Sequence, residues 1–390
     1  MTTYGIDSIS FYTSHYYLDL AALASAHGID ANKFYLGLGQ HRMGVPSPSE
    51  DIVTLAANAA KQALKDQDID TIDTFIFATE SGIDQSKAAG LYVHRLLGLS
   101  EHCRVIEAKQ ACYSGTAAIQ LATAWVARHP KQKVLVIASD NARYGLGSRG
   151  ESSQGCGAVA MVISKNPRVL AIEPEYGIFS DDIMDFWRPN YRTDAFVDGH
   201  YSTKMYMHAL EKVWTHYRAN GGKSFKEHAH HLYHIPIPRL VEKAHKHLAK
   251  LNDVEYENED TLKAQVKDSV AYSREVGNCY TASLYLGVIS LLDHAEADLS
   301  GKRIGFYSYG SGCVAEYFSG IVQPGYREVV DKTMHNNMLE GRTALSYEEY
   351  ENFYTSLLPT DGSQYTSPSH PSGAFRLAGI DRHQRIYEKL

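Results

Sequence analysis

Residues 105–127, VIEAKQACYSGTAAIQLATAWVA, carry the pattern that decides the fold. A short β-prone start gives way to a long segment whose small and apolar residues lie on nearly every face of a helix, as in helices buried inside a protein. Residues 269–292, SVAYSREVGNCYTASLYLGVISLL, repeat this order, and we predict a second mostly apolar helix there. Two such helices in one chain predict that its halves share one layout.

Two short matches between the halves support an internal duplication. Residues 111–116, ACYSGT, align with residues 278–283, NCYTAS, and residues 155–160, GCGAVA, align with residues 310–315, GSGCVA. Both matches occur in the same order and beside the same kind of helix or strand. Chance similarity explains either match alone equally well, but the two together favour duplication. The alignment makes Cys279 the counterpart of Cys112 in the second half.

Buried-strand patterns separate the helices, which is typical of a layered α/β protein. A helix with an acidic start is also predicted from about Asp51 to Leu64. Strand patterns occur at residues 6–11, 71–82, 133–142, 156–164, 168–174, 230–238, 302–312 and 313–320. Residues 323–390 are more polar and show no clear pattern.

Composition and charge exclude several classes of protein. The 390 residues are 44% hydrophobic and 21% charged, as in an ordinary globular protein rather than a disordered or fibrous one. A net charge of −7 argues against nucleic-acid binding. Five cysteines without CxxC pairs argue against a disulfide framework and a structural zinc site. We see no signal-peptide or membrane-helix pattern, and we expect a cytoplasmic protein with reduced thiols and no membrane partner.

Cys112 is the candidate nucleophile. It lies where the polar segment KQ gives way to an apolar helix, and free N–H groups with the positive end of a helix dipole stabilise a thiolate there. This position predicts a lowered pKa and a reactive thiol. A buried structural cysteine is the alternative, and it is the commoner fate of a single Cys.

Three further residues end strand patterns, where α/β folds place their sites. Glu80 ends FIFATE, and partial burial would raise its pKa toward that of a general base; an exposed turn residue is the alternative. His234 ends LYH before a proline, and without HExxH or a matching Cys or Asp set no metal site is expected. Ser311 lies in a Gly-Ser-Gly turn that offers either an oxyanion donor or an ordinary hairpin.

Arg239 and Lys243 follow His234 at helical spacing. They suit the phosphates of a nucleotide tail, although a solvated helix face explains the same spacing. No GxGxxG follows a strand, and the sequence holds no GxxxxGK[ST] and no GxSxG. Nicotinamide, P-loop and α/β-hydrolase chemistry therefore have no support.

As a set, the motifs resemble 3-hydroxy-3-methylglutaryl-CoA (HMG-CoA) synthases of the bacterial mevalonate-pathway type. The resemblance spans about residues 6–325 and rests on TESGIDQSKAA, KQACYSGTA, QGCGAVAM, DFWRP, HIP, REVGNCYTASLYLG and YSYGSGCVAE. It implies a thiolase-like α/β fold, an internally duplicated αβαβα architecture of five layers. One domain would then cover residues 1–390, with halves at 1–170 and 171–390 and insertions in the second half.

The resemblance also implies an acyltransferase reaction. Cys112 would take an acetyl group from acetyl-CoA, and Glu80 would remove a methyl proton to give an enolate. The enolate would attack the ketone of acetoacetyl-CoA while His234 hydrogen-bonds and protonates the alkoxide, and hydrolysis would release HMG-CoA. Backbone N–H groups of Cys112 and Ser311 would hold the thioester oxygen.

Substrate contacts and partners follow from the same resemblance. Asn278 would contact the acetoacetyl thioester, and the acyl pocket would be lined by Tyr144, Ser153 and Ser202. CoA would meet Arg239 and Lys243, and Asp30 is a further binding candidate. Coenzyme A belongs to the substrates, so no separate cofactor and no metal is implied, and a homodimer is expected from the family. Glu242 replaces a lysine of compared relatives, and Ser153 stands where threonine is usual.

Several alternatives stay open on the sequence alone. A β-branching relative would act on acyl carrier proteins in polyketide synthesis, and it would need a more basic surface than a net charge of −7 indicates. A non-catalytic, acyl-CoA-binding thiolase-fold partner would usually have lost Glu80, Cys112 or His234. Ketoacyl synthases and thiolases use other residue sets, and a cysteine hydrolase would release the acyl group without forming a carbon–carbon bond.

Overall fold

A computed structural model describes residues 2–390. Its strands, in chain order, are β1 (Tyr4–Tyr12), β2 (Tyr16–Asp19), β3 (Arg42–Val45), β4 (Ile72–Ala78), β5 (Arg104–Ala108), β6 (Lys133–Asn141), β7 (Cys156–Lys165), β8 (Leu170–Ser180), β9 (Phe186–Trp187), β10 (Phe196–Val197), β11 (His230–Tyr233), β12 (Arg303–Gly310), β13 (Val314–Val322), β14 (Thr343–Leu345), β15 (Tyr365–Thr366), β16 (Phe375–Asp381) and β17 (Gln384–Lys389). Its α-helices are α1 (Leu20–Ala26), α2 (Asn32–Tyr35), α3 (Ile52–Ala63), α4 (Gly90–Leu97), α5 (Ser114–Arg128), α6 (Gly199–Ala219), α7 (Pro238–Lys250), α8 (Glu259–Ala264), α9 (Lys267–Val276), α10 (Ser283–His294), α11 (Tyr326–Val329), α12 (Lys332–Glu340) and α13 (Tyr347–Thr355).

Nine strands form one mixed sheet in the order β11-β12-β13-β8-β1-β7-β6-β4-β5. In the first half, β1 runs antiparallel to β7, β7 runs antiparallel to β6, and β6 runs parallel to β4. In the second half, β8, β13, β12 and β11 repeat this order with the same directions. β1 and β8 pair at Gly5–Ile6 and Leu170–Ala171, which joins the two halves. Within residues 2–390, the fifth strand β5 extends the first half alone.

The two halves of this sheet form two β-layers. One layer of helices lies between them and one covers each outer face, which makes five layers. α5 and α10 lie between the halves, where their apolar side chains share one core with strands of both. α3 and α4 cover the outer face of the first half, and α6 and α7 cover that of the second. Gly115 allows α5 to approach the start of α10, since a Cβ there would lie 2.8 Å from the carbonyl oxygen of Thr281. This is the duplicated αβαβα architecture that the family resemblance implies.

Local chemistry sets the ends of the predicted helices. Asp51 caps α3 by accepting the N–H groups of Val53 and Thr54, and the Thr54 hydroxyl accepts the Asp51 N–H in return. The helix predicted from Asp51 to Leu64 is therefore confirmed, with Ile52–Ala63 helical between these two capping residues.

The single helix predicted over residues 269–292 is wrong. α9 ends at Val276, and α10 begins only at Ser283. Gly277 separates them at φ +84, where a Cβ would lie 2.0 Å from the carbonyl oxygen of Gln154. The helix breaks here because Gly277 packs against the Gln154 carbonyl just before β7, a contact between distant segments that helical periodicity does not reveal.

The polar stretch after residue 323 adds elements to two separate cores. β14 pairs in parallel with β2, and α13 packs on α1 in a separate small core. β15, β16 and β17 form an antiparallel sheet whose Phe375 joins the core around α3. Among the helices at residues 2–390, none is both long and apolar enough to cross a membrane.

Candidate active site

Glu80 and Cys112 form the centre of the site. Glu80 lies two residues beyond the end of β4, and Cys112 lies two residues before the start of α5. The end of β4 and the start of α5 therefore meet at the site. The Cys112 Sγ–H donates a hydrogen bond of 2.8 Å to Glu80 Oε1. A carboxylate in this position can take the thiol proton, as in other activated-nucleophile pairs.

Burial controls the protonation of both groups. It is the largest reason that the pKa of Glu80 is raised to about 8, and the nearby Asp140 carboxylate is the second. Burial likewise raises the pKa of Cys112 well above its ordinary value, and Glu80 is the next contributor. The lowered pKa predicted for Cys112 is therefore wrong, because the thiol faces buried carboxyl groups rather than free helix N–H groups. The resting nucleophile is a neutral thiol, and the Glu80 carboxyl group in contact with it serves as a base once it is ionised.

Asp140, at the end of β6, organises the segment that carries Glu80. Its Oδ1 accepts the Thr79 hydroxyl at 2.8 Å and the N–H groups of Glu80 and Ser81, each at 2.9 Å. Its Oδ2 accepts the N–H of Thr281 at 3.0 Å and the hydroxyl of the same residue. One carboxylate thus ties the base segment to the start of α10.

The structure contradicts the prediction that Cys279 is the counterpart of Cys112 in the second half. Ser114 opens α5 and accepts the N–H of Gln110, and Ser283 opens α10 and accepts the N–H of Cys279 in the same i to i+4 pattern. Ala111 and Tyr280, each three residues before its helix serine, both have φ of +44.

These positions make Thr281, not Cys279, the counterpart of Cys112, and they correct the sequence alignment by two residues. The match ACYSGT/NCYTAS pairs identical residue types. The geometry of the turn before each helix shows which positions of the two halves are structurally equivalent. Cys279 is buried and its Sγ lies 3.8 Å from the carbonyl oxygen of Gly277.

The turn that carries Ser311 contacts the nucleophile segment. Gln110 Nε2 donates to the Ser311 carbonyl oxygen at 3.3 Å. Gly310 has to be glycine, since a Cβ there would lie 2.6 Å from both the Gln110 carbonyl oxygen and the Tyr113 nitrogen. Asp185 Oδ1 accepts the Gly312 N–H at 2.9 Å and fixes the turn. The oxyanion role of the Cys112 and Ser311 N–H groups stays a prediction.

His234 lies directly beyond β11, whose neighbour β12 ends in the Gly310 turn. The backbone N–H of His234 donates to the Tyr307 carbonyl oxygen at 2.8 Å. Tyr206 donates its hydroxyl to the His234 carbonyl oxygen at 2.8 Å. Burial lowers the pKa of His234 to about 3, so the imidazole is neutral at physiological pH. A neutral imidazole in this position can donate one N–H to a developing oxyanion.

Tyr144 and Asn278 lie beside the Glu80–Cys112 pair. Asn278 Nδ2 donates to the Tyr144 hydroxyl at 3.3 Å, while Asn278 Oδ1 accepts the Tyr280 N–H at 2.9 Å. Burial raises the pKa of Tyr144, and the charges of Cys112 and Glu80 raise it as well. These contacts form a polar wall suited to an acyl thioester.

Ser153 and Ser202 make structural hydrogen bonds. The Ser153 hydroxyl donates to the Gly150 carbonyl oxygen at 2.8 Å, and its own carbonyl accepts the Asn278 N–H at 3.3 Å. The Ser202 hydroxyl donates to Asp185 Oδ2 at 3.0 Å. Both therefore hold site segments in place, and direct substrate contact stays a prediction for each.

The three residues predicted to bind CoA or substrate make no contact with the Glu80–Cys112 pair or the residues described around it. Asp30 is exposed and accepts the Asn32 N–H at 2.9 Å beside α2. Arg239 pairs with Glu242 on α7 and donates its backbone N–H to the Leu38 carbonyl oxygen at 2.9 Å. Lys243 is exposed on the same helix. The α2 and α7 segments are thus neighbours, but binding of CoA there stays a prediction.

Asp140 and Asp185 organise the segments of the candidate site, and sequence reasoning missed both. Asp140 ends the buried strand pattern KVLVIASD, the same signal that pointed to Glu80. Asp185 begins the motif DFWRP and accepts hydrogen bonds from Ser202, Tyr309 and Gly312. The strand-end signal could have identified Asp140, but the three partners of Asp185 come from distant segments and leave no local pattern. Residues 2–390 hold no cluster of three His, Cys, Asp or Glu side chains arranged for a metal ion.

Comparisons with known proteins agree with the predicted fold. The family profile "Hydroxymethylglutaryl-coenzyme A synthase N terminal" matches residues 2–168, and the C-terminal profile matches residues 173–265 and 256–385. The hydroxymethylglutaryl-CoA synthase of Enterococcus faecalis is 45% identical over 362 residues, 93% of this chain and 94% of that protein. A crystal structure of an HMG-CoA synthase complexed with CoA superposes with a TM-score of 0.94 at 40% identity, covering 100% of both chains. The polyketide biosynthesis 3-hydroxy-3-methylglutaryl-ACP synthase PksG of Bacillus subtilis is 35% identical over 371 residues, 90% of this chain and 88% of that protein. The predicted thiolase-like fold is confirmed.

Proposed function

The chain belongs to the hydroxymethylglutaryl-CoA synthase family, and we propose that it condenses acetyl-CoA with acetoacetyl-CoA and water, giving HMG-CoA and CoA through an acetyl thioester on Cys112. In isoprenoid precursor synthesis this is the condensing step of the mevalonate pathway. The hydrogen bond between Cys112 Sγ and Glu80 Oε1 carries the proposal. It places one base where it serves both the thiol and, later, the methyl group of the bound acetyl thioester.

The first half-reaction loads the enzyme. Glu80 takes the Cys112 proton, the thiolate attacks the acetyl-CoA carbonyl, and CoA leaves as a thiol after receiving a proton. A neutral thiol with a raised pKa suits this order, because the nucleophile forms only when an acyl donor is present to use it. N–H groups of Cys112 and Ser311 would hold the thioester oxygen, and one such donor is typically worth about 3 kcal/mol.

The second half-reaction forms the carbon–carbon bond. Glu80, whose pKa is raised to about 8, removes a methyl proton from the acetyl thioester. The enolate attacks the ketone of acetoacetyl-CoA, and the neutral His234 donates a hydrogen bond from its ring N–H to the developing alkoxide. The alkoxide takes a proton from solvent, and the protonated Glu80 returns its proton to solvent. Asn278 and Tyr144 orient the acetoacetyl thioester. Water then hydrolyses the thioester to Cys112, which restores the thiol and releases HMG-CoA.

Similarity favours CoA over carrier-protein substrates. The chain is 45% identical to the named CoA enzyme of E. faecalis and 35% identical to the named acyl-carrier-protein enzyme of B. subtilis. A net charge of −7 also disfavours an acidic carrier protein as partner. The phosphates of CoA would meet Arg239 and Lys243 on α7, with Asp30 beside the same surface. No cofactor beyond CoA itself enters this chemistry.

The free edge of β5 supports a homodimer. β5 pairs with β4 along one side, and its Ile106 side chain is 46% exposed while Leu121 on α5 is 57% exposed. An unpaired strand with apolar neighbours invites pairing with a second copy of itself. We also place the protein in the cytoplasm, since its five free thiols persist in a reducing compartment.

An acetylation experiment tests the proposed function. The protein is incubated with acetyl-CoA, its intact mass is measured, and the adduct is mapped; we expect one acetyl group on Cys112. Acetoacetyl-CoA is then added, and HMG-CoA should form. An adduct on Cys279, or no adduct, contradicts the assignment, and turnover with carrier-protein substrates alone would favour the polyketide alternative.

Glu80→Ala separates the two half-reactions. The variant should still acetylate at Cys112, at a reduced rate, but condensation should fall by about a hundredfold or more because its base is gone. Normal condensation by this variant would place the base on another residue.

A further inference from the structure

Residues 186–197 form a flap over the base. Its two short strands, β9 and β10, pair with each other, and the rings of Trp187 and Phe196 stack at 5.3 Å. Phe186 packs at 6.0 Å from the ring of Tyr144, and Arg188 donates to the carbonyl oxygen of Glu80. The flap therefore forms part of the wall around the Glu80–Cys112 pair.

A tyrosine from the C-terminal stretch holds this flap. The Tyr354 hydroxyl on α13 donates to Asp194 Oδ1 in the flap at 2.9 Å. The Tyr354 hydroxyl oxygen also accepts the backbone N–H of Gly145 at 2.9 Å. One phenol thus joins three segments that are far apart in sequence: α13, the flap, and the segment 143–145.

Arg143 completes the junction. Its guanidinium lies 3.7 Å from the centre of the Tyr354 ring, and its Nη2 donates to the Tyr354 carbonyl oxygen at 3.0 Å. Its Nε is buried and lies 3.8 Å from Asp194 Oδ1. Tyr144 lies between Arg143 and Gly145, so Tyr354 holds the Arg143 side chain on one side of Tyr144 and the Gly145 backbone N–H on the other.

We propose that Tyr354 is a positioning residue for the condensation step. It acts through Tyr144 and the flap, and it sets the shape of the pocket that receives the acyl group of the second substrate, acetoacetyl-CoA. The proposal rests on the proposed function for the identity of that substrate. It also assigns a role to the C-terminal stretch, which supplies α13 from outside the duplicated core.

Tyr354→Phe tests the role of the hydroxyl. The ring that Arg143 covers remains, but the bonds to Asp194 and Gly145 are lost, and one of them is charged. We expect the KM for acetoacetyl-CoA to rise about tenfold, the usual scale for such a loss, while acetylation of Cys112 by acetyl-CoA is unchanged. Amide hydrogen exchange in peptides from residues 186–197 should accelerate by a similar factor.

Tyr347→Phe is the matched control. Tyr347 is on the same helix, and within residues 2–390 its hydroxyl contacts neither the flap nor the segment 143–145. This variant should leave the kinetics and the flap exchange unchanged. Asp194→Asn should fall between the two, because its amide oxygen still accepts from Tyr354 but loses the charge that faces Arg143.

The outcomes separate this proposal from the proposed function. Unchanged flap exchange in Tyr354→Phe overturns the positioning role whatever the enzyme makes. Faster flap exchange with an unchanged KM shows that the flap is held by Tyr354 but does not shape the acyl pocket, which also overturns the proposal. Failure of the unmodified protein to form HMG-CoA rejects the proposed function, and the exchange measurement still tests the contact.

Discussion

Asp140→Asn is the most informative single change in the site. Asp140 is buried, and its carboxylate accepts five hydrogen bonds, three on Oδ1 and two on Oδ2. An asparagine keeps the oxygen that faces Glu80 and turns its amide NH2 toward Thr281. The Thr281 hydroxyl can rotate and donate to the Ala78 carbonyl oxygen, already 3.3 Å away, but the Thr281 N–H has no acceptor left.

The expected loss in the free energy of unfolding follows from the hydrogen bonds that the Asp140→Asn variant loses or weakens. One buried N–H without an acceptor costs about 1–3 kcal/mol, and the other bonds lose the strength that a charged acceptor gives them. We expect the free energy of unfolding to fall by about 2–4 kcal/mol. The pKa of Glu80, about 8 in the intact site, should fall because a like charge is removed. A base with a lower pKa is ionised at lower pH, so the acid limb of the condensation rate should move to lower pH.

Two measurements check the prediction. Denaturant unfolding at pH 8 gives the stability, and initial rates of HMG-CoA formation between pH 6 and pH 9 give the acid limb. Asp73→Asn is the control, since Asp73 is on β4 and accepts from Trp125 Nε1 at 3.1 Å but does not contact the site segment. An unchanged stability together with an unchanged acid limb would refute the roles of Asp140 as organiser of the Glu80 segment and as its electrostatic neighbour.

Three further predictions concern stability, assembly and substrate binding. Burial lowers the pKa of three neighbouring histidines on and around β11, namely His228, His231 and His245. The unfolded state therefore binds protons that the folded state excludes, and the stability that these residues contribute is present above about pH 6.5. Thermal unfolding should show the stability falling by up to about 4 kcal/mol per pH unit toward pH 4. A stability that stays flat over this range contradicts their burial as neutral groups. Ile106→Lys places a charge on the free edge of β5 and should shift the protein to a monomer in light scattering, and an unchanged mass would exclude this edge as the dimer contact. Lys243→Ala should raise the KM for both CoA substrates about threefold, the scale of one exposed ion pair, whereas Lys246→Ala, also exposed on α7, should not; equal effects would remove Lys243 from the CoA site.

Patterns with a local physical cause were predictable. The helix at Ile52–Ala63 follows from its apolar spacing and the Asp51 cap, and both are written in consecutive residues. Glu80 was identified because a carboxylate at the end of a buried strand stands out, and burial does raise its pKa to about 8. Cys112 was identified by its place before a helix, although the reason given for its reactivity was wrong.

The failures share one cause, which is that they depend on contacts between distant segments. The pKa of Cys112 rises because the fold buries the thiol and, next, because it faces Glu80, 32 residues earlier in the chain. Thr281, and not Cys279, is the counterpart of Cys112, because the two halves correspond at the turns capped by Ser114 and Ser283 and not at identical residue types. The break at Gly277 reflects the approach of the Gln154 carbonyl, 123 residues earlier in the chain.

The sequence by itself determined the duplicated α/β architecture, the family and the chemical types at the site, because periodicity, strand ends and motifs are encoded in neighbouring residues. Tertiary structure alone decided how those groups behave. It placed one carboxylate, Asp140, between the base segment and α10, held His234 neutral by burial, and brought Tyr354 from the C-terminal stretch to the flap. Charge, burial and hydrogen bonding at a site are sums over neighbours in space, and only the folded chain defines those neighbours.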